Sequence, residues 1–447
     1  MTDELTSRRG FLRASVAAGT LAVAGCSESG DSRAGDASPN GSTGTPSQSG
    51  TEAGSESGAS IERTVGPPTR LVADDPSTGE RFGSGVAVGD GVALVGRRGD
   101  YRDGRRAGSL TVFERADGEW VEGTTIGASD PADGAGFGGV VDVDGDVAVV
   151  GAKDDDEQGR HAGAAYVFRR RDGDWSQAAK LTADATTTWF GGAVSVSGST
   201  AIVGATSYGG NQSSPGAATV FERGDDGWTR QATLTVDDVA GFDGFGSTVD
   251  VDGDVAVVGA PDHDAAGEGS GAAYVFERSS GQWSDGREIG PDSGQAGESF
   301  GKGVAIDGER ILVAAPSRDR GGTEQAGAVF EFERVDGEWS QRGTLAPAEP
   351  TEQEKVGNVG TVAVDGSLAL AGANSVPMGD ADTAWGYVFE RSAGQWHVVE
   401  RIDTADLDGD DWYPGAVAIH GELGLFGAPQ DDEPAGNDSG SAYLYEL

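Results

Sequence analysis

Acidic side chains cluster in three segments, where their spacing would suit the oxygen ligands of a calcium ion. Calcium takes about six to eight oxygens, mostly from carboxylates and carbonyls. Each cluster could bind a cation weakly, or it could be part of a solvated acidic surface, which is the simpler interpretation. We expect that no cofactor is required and leave calcium open; its candidate ligands are Asp154, Asp156, Asp262, Asp264, Asp406, Asp408 and Asp410.

Groups for covalent or acid–base catalysis are difficult to assemble from this chain. It has four histidines and one cysteine, and it has no Gly-x-Ser-x-Gly elbow for a serine nucleophile. Carboxylate pairs like those of glycosidases arise by chance in a sequence so rich in acids. We therefore assign no catalytic residue and expect a protein that is not an enzyme.

Tryptophan offers another chemistry, the stacking of its ring against a ligand. Six of the nine tryptophans recur at one position of a repeat, and we expect them to pack against neighbouring strands. The other three break the pattern and are the candidates for ligand contact: Trp189, Trp385 and Trp412.

The amino terminus predicts export. Its first motif resembles the twin-arginine translocation signal and consists of Arg8, Arg9, Phe11 and Leu12. The apolar stretch that follows is too short to span a bilayer. Cys26, the only cysteine, ends a Val-Ala-Gly-Cys sequence that resembles a lipobox. We predict a signal peptide over residues 1–25 and a lipid on Cys26 that anchors the protein to the outer face of the cytoplasmic membrane.

Residues 26–60 are rich in Ser and Gly and predict a disordered tether, because they hold too little apolar surface to repay the entropy of ordering. The lipid would then be the only attachment to the membrane. For an exported protein, three Asn-x-Ser sequences are possible glycosylation sites: Asn40, Asn211 and Asn437.

The charge of the chain excludes one large class of partners. With 447 residues and a formal net charge of −42, the protein lacks the basic surface that phosphate neutralisation needs, so we expect no nucleic-acid partner. Arg outnumbers Lys among the basic residues. Together with the acidity, this bias predicts a halophilic protein, since concentrated salt screens self-repulsion.

From residue 61 onward one unit of roughly 55 residues recurs seven times, a period that suits a four-stranded propeller blade. Each unit has a Phe-Gly pair, an alternating strand, an apolar strand ending in Gly-Ala, a third strand and, after a turn with Trp, a fourth. Between the first two strands, pairs such as Asp144-Gly145 and Asp252-Gly253 predict two-residue type I′ turns.

The two ends of the repeated region complement each other. Residues 61–72 read as a fourth strand without a preceding partner, and residues 441–447 as a third strand without a successor. Pairing them would complete a blade and remove two exposed edges. We therefore predict an all-β, seven-bladed β-propeller over residues 61–447, with four-stranded antiparallel blades, closed by the N-terminal strand against the C-terminal blade.

Phe-Gly followed by Gly-Ala-Pro, as in Gly259-Ala260-Pro261, resembles the FG-GAP repeat of integrin α-subunit propellers and of bacterial and archaeal surface proteins. With the acidity, this resemblance implies a haloarchaeal cell-surface protein. Calcium loops of integrin type would lie between first and second strands. Here Asp142-x-Asp144-Gly145 is too short to supply the oxygens, so we interpret it as turn chemistry.

The resemblance and the export signal together predict a monomeric, lipid-anchored propeller at the cell surface that binds a protein or a glycan without covalent chemistry. One alternative is an extracellular polysaccharide lyase or hydrolase with its site in the propeller channel. Another is a purely structural component of the cell envelope. Converging carboxylates with shifted pKa values in a channel pocket would favour the enzyme. A smooth, uniformly acidic face with an aromatic patch at Trp189, Trp385 or Trp412 would favour binding.

Overall fold

Alternating apolar residues and glycine turns fold this chain into seven antiparallel sheets. The computed structural model describes residues 63–183, 188–206, 215–358, 362–375, 383–403, 415–433 and 435–447. First strands of successive sheets lie side by side, and that of the seventh lies beside that of the first. The sheets are thus the blades of a closed β-propeller, and the predicted fold class is confirmed.

In blades 1 to 6 the strands are hydrogen-bonded in chain order, from the channel to the rim. Blades 1 to 3 comprise β2 (Phe82–Gly89), β3 (Val92–Arg97), β4 (Ser109–Ala116), β5 (Glu119–Ile126); β6 (Val141–Asp144), β7 (Val147–Ala152), β8 (Ala164–Arg171), β9 (Asp174–Leu181); β10 (Ala193–Ser197), β11 (Thr200–Ala205), β12 (Ala217–Gly224) and β13 (Gly227–Leu234). Blades 4 and 5 comprise β14 (Thr248–Asp252), β15 (Val255–Ala260), β16 (Ala272–Ser279), β17 (Gln282–Trp283), β18 (Arg287–Ile289); β19 (Val304–Asp307), β20 (Arg310–Ala315), β21 (Ala328–Val335) and β22 (Glu338–Leu345). Blades 6 and 7 comprise β23 (Val362–Asp365), β24 (Leu368–Ser375), β25 (Thr383–Ser392), β26 (Gln395–Ile402); β27 (Ala416–His420), β28 (Leu423–Ala428), β29 (Ser441–Glu446) and β1 (Thr69–Leu71).

The seventh blade takes its outermost strand from the start of the propeller. β1 pairs antiparallel with β29, in a register that places Thr69 opposite Leu444 and Leu71 opposite Ala442. The predicted closure is therefore confirmed. The strand is shorter than predicted, because only three residues of the segment 61–72 form it.

The Phe-Gly and Gly-Ala motifs meet where neighbouring blades pack most closely. Phe137 is almost fully buried, and its ring makes edge contacts with Tyr166 and Phe168 of the third strand. A Cβ on Gly151, at the end of the second strand, would lie 2.2 Å from the carbonyl oxygen of Gly191 in the next blade. Only glycine permits this approach, which explains the repeat of both motifs.

The hairpins between first and second strands differ from the prediction. Asp144 pairs with Val147, so the turn residues are Gly145 and Asp146, one position later than expected. Only Gly145 of the two has a positive φ, of 55°, which is the pattern of a type II′ turn. The predicted type I′ turn is wrong because the aspartate continues the strand and uses its side chain elsewhere.

The hydrophobic core lies between blades rather than within them. Each of the seven clusters of buried residues combines side chains from two adjacent blades. The six repeated tryptophans join these clusters, so their predicted packing role is confirmed; they are Trp120, Trp175, Trp228, Trp283, Trp339 and Trp396.

Ion pairs join the third strands at six of the seven junctions between blades. In five of them an Arg of one third strand contacts a Glu of the preceding blade; the pairs are Arg115–Glu446, Arg170–Glu114, Arg278–Glu222, Arg334–Glu277 and Arg391–Glu333. Blade 2 has Arg169 where the Glu is expected, and Arg223 of blade 3 instead lies 3.9 Å from Asp146. Blade 7 ends in Leu447 where Arg is expected, and Arg63 takes that place. Its Nε lies 3.0 Å from Glu390, and its Nη1 donates to the carbonyl oxygen of Leu447.

Two departures from the repeat are accommodated locally. Arg97 stands where other blades have Ala, and it is 3% exposed. Glu80, which is 1% exposed, neutralises it, with 3.1 Å between Arg97 Nε and Glu80 Oε2. Val356 replaces the motif phenylalanine of blade 6 and is fully buried in the same place.

Candidate functional site

The first strands of the seven blades surround a central channel. Two cavities of about 290 and 250 Å³ occupy it, and both are lined by the same seven valines, here called the valine ring: Val86, Val141, Val194, Val249, Val304, Val362 and Val417. One cavity continues toward the Phe-Gly segments, and the other toward the hairpins. The valine ring therefore forms the border between a chamber of mixed polar and apolar lining and a more polar one.

Three polar side chains of the second chamber form a chain across blades 2 to 4: Asp142, Ser195 and Asp250. The Ser195 hydroxyl donates to Asp250 Oδ1 at 2.6 Å. Asp142 Oδ2 accepts from the backbone N–H of Val196 in blade 3, and Asp250 Oδ2 from that of Ile306 in blade 5. These N–H groups lie on the channel edge of their sheets, so each carboxylate satisfies an edge donor of the neighbouring blade.

The aspartates next to the hairpin turns repeat this arrangement two residues further along the first strand. Asp144, Asp252, Asp307 and Asp365 each accept the N–H of the hairpin glycine in the next blade. His420 continues the series with a 3.0 Å contact to Asp90 of blade 1. The Asp-x-Asp-Gly motif thus joins blades at the channel, a role that turn chemistry alone did not predict.

Two of the channel carboxylates hold protons more firmly than usual. Burial in the channel wall raises the pKa of Asp142 to about 6. Burial, reinforced by repulsion from Asp142, raises the pKa of Asp250 to about 7. Such shifts mark candidate acid–base groups, although structural networks produce them as well.

The predicted calcium ligands do not converge in the part of the chain that the structure describes. Asp156 accepts the backbone N–H of His161, and Asp264 accepts that of Gly269, so both close their own loops. Asp154 lies near Arg98 and His161, and Asp262 is exposed. Within the described ranges no three His, Cys, Asp or Glu side chains are grouped as a metal ion needs. Asp406, Asp408 and Asp410 lie outside the described residues.

The three candidate tryptophans have different surroundings. Trp189 is half-buried in the crevice between blades 2 and 3. Its backbone N–H donates to the carbonyl oxygen of His161, and the centroids of the two side-chain rings lie 6.4 Å apart. Trp385 is only 4% exposed and packs in the core between blades 5 and 6, with the Arg401 guanidinium 4.1 Å from its ring centroid. It therefore presents little surface to a ligand. Trp412 lies outside the described residues.

The crevice that holds Trp189 recurs around the ring. In blades 1 to 6 the residue before the motif phenylalanine (Val356 in blade 6) has a positive φ. Four of these residues are not glycine: Arg81, Trp189, Ser299 and Lys355. Each donates its N–H to the preceding blade's loop. One backbone geometry thus displays a different side chain in each blade.

Sequence analysis missed two exposed aromatic residues. Tyr101 is 67% exposed and follows the second strand of blade 1; Phe242 is 70% exposed and precedes the first strand of blade 4. Both connections lie at the end of the blades opposite the hairpins, which we call the loop face. The only sequence signal for them was that a large apolar residue interrupts a polar loop.

One glycosylation candidate falls within the described residues. Asn437 is exposed, and its carbonyl accepts the N–H of Gly79. Ser439 of the same motif is fully buried and donates its hydroxyl to the carbonyl of Asp431. The other two candidates, Asn40 and Asn211, lie outside the described residues, as do Cys26, the Arg8-Arg9 motif and the tether.

Comparison with known proteins identifies the repeat. A family model described as the FG-GAP repeat matches residues 68–113, 120–168, 175–221, 228–276, 283–332 and 396–445. Each match runs from a fourth strand to the third strand of the next blade, so it spans the inter-blade crevice. No curated protein matches the chain. In the described ranges, no helix is long and apolar enough to cross a bilayer.

Proposed function

We propose, since this chain belongs to the FG-GAP repeat family, that its propeller is the non-catalytic binding module of an exported, lipid-anchored cell-surface protein. Its partner would be a surface protein or a glycan. The observation that carries this proposal is the placement of Tyr101 and Phe242 on the loop face. Exposed aromatic rings bury a large area on contact at a small cost in conformational entropy, so they are common anchors of interfaces.

The loop face also has the variety that selective binding needs. The crevices between blades share one backbone geometry but carry Arg81, Trp189, Ser299 and Lys355 in turn. A partner that lies across several blades would therefore meet positive, aromatic and hydroxyl groups in a fixed order. This arrangement supports recognition by position, without a reaction centre.

Membrane anchoring is the part of the proposal that depends on the sequence alone. The twin-arginine motif at Arg8 and Arg9 and the lipobox at Cys26 support export and lipidation. The substitution Cys26→Ser should release the protein into the medium, whereas the wild type should stay with the membrane fraction. Retention of the variant on the membrane would contradict a lipid anchor.

Binding can be tested with matched surface substitutions. The double variant Tyr101→Ser and Phe242→Ser should reduce capture of envelope proteins and surface glycans by at least tenfold. Val335→Ser, which changes an exposed residue (43%) at the end of β21, on the side of the propeller away from the loop face, should leave capture unchanged. Equal capture by wild type and double variant would remove the loop face from the proposal.

A second candidate is a polysaccharide-active enzyme, and the raised pKa values of Asp142 and Asp250 in the channel favour it. Against it, the oxygens of both carboxylates already accept bonds from backbone N–H groups and Ser195. Depolymerisation of a polysaccharide that is abolished by Asp250→Asn would establish the enzyme. No release of reducing ends would leave binding as the function.

A further inference from the structure

The outer rim of blade 4 is interrupted in a way that the other described blades are not. Its fourth strand is divided into β17 and β18, separated by Ser284, Asp285 and Gly286. Where a continuous strand would pair, Ser284 both donates its N–H to the carbonyl of Glu277 and accepts the Glu277 N–H with its hydroxyl. The spacing from Trp283 to Ile289 equals that in the other blades, so the interruption arises from residue type and not from length.

The interruption opens a cavity of about 530 Å³ between blades 3 and 4. One wall is the fourth strand of blade 3 with Gln231 and Thr233, and the other is the segment Gln282–Asp285; Phe276 also borders it. A Cβ on Gly286 would lie 2.5 Å from Val236 and 2.7 Å from the Phe276 ring. Glycine at this position therefore lets the two blades close beneath the cavity.

The aromatic residue of the cavity is held in a fixed orientation. Trp283 is half-buried, and its indole N–H donates to Gln231 Oε1 at 3.2 Å. The Gln231 amide donates in turn to Glu222, and the Arg278 guanidinium lies 5.5 Å from the indole centroid. Because both ring and amide are positioned before any ligand arrives, little entropy is lost on binding.

The groups around this tryptophan are mostly neutral and capable of hydrogen bonding. They are the amide of Gln282, the hydroxyls of Thr233 and Thr235, and one carboxylate, Asp285. The Gln231 amide and the Ser284 hydroxyl, which also line the groove, already pair with protein groups. A sugar ring has an apolar face of C–H groups that stacks on indole and a rim of hydroxyls that pair with amides and carboxylates. On a protein of charge −42, such a lining selects an uncharged ligand over an acidic one.

We infer that this groove, bordered by Trp283, Gln231 and Gln282–Asp285, is a binding subsite for a short segment of neutral oligosaccharide. It lies on the rim, apart from the loop face, and it rests on the glycan form of the proposed function. The corresponding tryptophans of blades 2 and 5 are 8% and 6% exposed, whereas those of blades 1, 3 and 6 are half-buried like Trp283. All five lie in uninterrupted fourth strands, so the interrupted strand, and not the exposure of the tryptophan, distinguishes the groove of blade 4.

The experiment uses the full chain and three neutral probes, mannohexaose, cellohexaose and chitohexaose, in calorimetry and saturation-transfer NMR. At least one probe should bind, and Trp283→Ala should weaken that binding by tenfold or more. Trp396→Ala, the matched change in blade 6, should leave it unchanged, because Trp396 is also half-buried beside an arginine but lies far from the groove in an uninterrupted strand. Since Trp283→Ala could disturb folding, Thr233→Arg provides a second test, because it fills the groove from the surface; circular dichroism verifies both variants.

The outcomes separate the groove from the proposed function. Binding that survives Trp283→Ala and Thr233→Arg but is lost in the Tyr101 and Phe242 variants would overturn the subsite and support the loop face. Failure of all three probes to bind, with protein capture by the loop face intact, would also overturn the subsite. Loss of both kinds of binding would remove the subsite and the proposed function together.

Discussion

At the scale of single residues, each aspartate of the channel belongs to the first strand of one blade and bonds to the backbone of the next blade. Asp142 and Asp250 satisfy edge N–H groups of the next blade, which an uncharged apolar residue could not do. Their partners lie one blade away, more than fifty positions along the chain. Burying these carboxylates costs solvation of the charged form, and both pKa values rise as a result.

The raised pKa values predict how stability depends on pH. In the folded protein Asp142 and Asp250 keep their protons to about pH 6 and 7, whereas in the unfolded chain they lose them near pH 4. The folded state thus binds more protons in between, so these groups destabilise the fold progressively as the pH rises from 4 to 7. We expect a loss on the order of 3 kcal/mol from Asp142 and 4 kcal/mol from Asp250.

Urea unfolding at constant salt, from pH 4.5 to 7.5, measures this contribution. Asp250→Asn should become more stable relative to the wild type as the pH rises, because the amide does not ionise. Asp252→Asn, the same change at the carboxylate that accepts the Gly308 N–H at the hairpin, should keep the wild-type slope. A difference between wild type and Asp250→Asn that is independent of pH would contradict the assignment.

At the scale of strands and blades, close backbone approach is the dominant constraint. Gly151→Ala would place a Cβ 2.2 Å from the Gly191 carbonyl oxygen, so backbone must shift. We expect about 2–4 kcal/mol of destabilisation, typical of overpacking without room to relax. Chemical denaturation measures it.

Blade 5 supplies the control for this substitution. Its equivalent residue is already Ala314, whose neighbour in the next blade is Gly357. Ala314→Gly should therefore cost about 1 kcal/mol or less, chiefly through backbone entropy. If Gly151→Ala proved as mild as Ala314→Gly, inter-blade contact would not be what requires the glycine.

The Glu–Arg pairs between third strands predict a modest coupling energy between Arg63 and Glu390, the pair that joins blade 7 to blade 6. Arg63 and Glu390 are 22% and 30% exposed, and partly exposed pairs are typically worth about 0.2–1 kcal/mol. A double-mutant cycle with Arg63→Ala and Glu390→Ala should give a coupling in this range that decreases with salt. The more exposed pair Arg287–Glu338 should give none, and equal coupling in both cycles would refute a special role for Arg63.

At the scale of the whole molecule, closure converts seven weak units into one structure. Leu71 of β1 is 3% exposed and belongs to the cluster between blades 7 and 1. Removing residues 1–72 would expose the edge of β29 and open that cluster. We expect this truncation to lower the melting temperature by at least 10 °C and to promote aggregation.

A truncation of residues 1–60 is the matched control. It leaves Arg63 and β1 in place, so its melting temperature should equal that of the chain starting at Cys26. Size-exclusion chromatography and thermal melting compare the two truncated proteins. If both truncations were equally stable, the N-terminal strand would not be what closes the propeller.

The halophilic character remains a prediction at this scale. A net charge of −42 repels itself in dilute buffer, and salt screens that repulsion. The melting temperature should therefore rise steadily from 0.1 to 2 M NaCl. A protein that melts at one temperature throughout this range would not need concentrated salt.

Much of the fold was predictable because the repeat makes local signals redundant. Blade number, strand order and closure followed from periodicity, and the structure confirms them. The position of the hairpin turn did not, since the choice between Asp144-Gly145 and Gly145-Asp146 depends on a hydrogen bond to the next blade. The packing of Trp385 in the core was equally invisible, because a broken pattern does not reveal which side of a strand is covered.

The amino-acid sequence by itself determined the number of blades, their order and the pairing of the two ends, because alternation and turn residues act over a few neighbouring positions. Only the tertiary structure decided which carboxylates share the channel, which arginine links the third strands of blades 6 and 7, and where an interrupted strand opens a groove. The reason is physical: these contacts join residues of different blades, and their energies depend on distance, burial and direction in space.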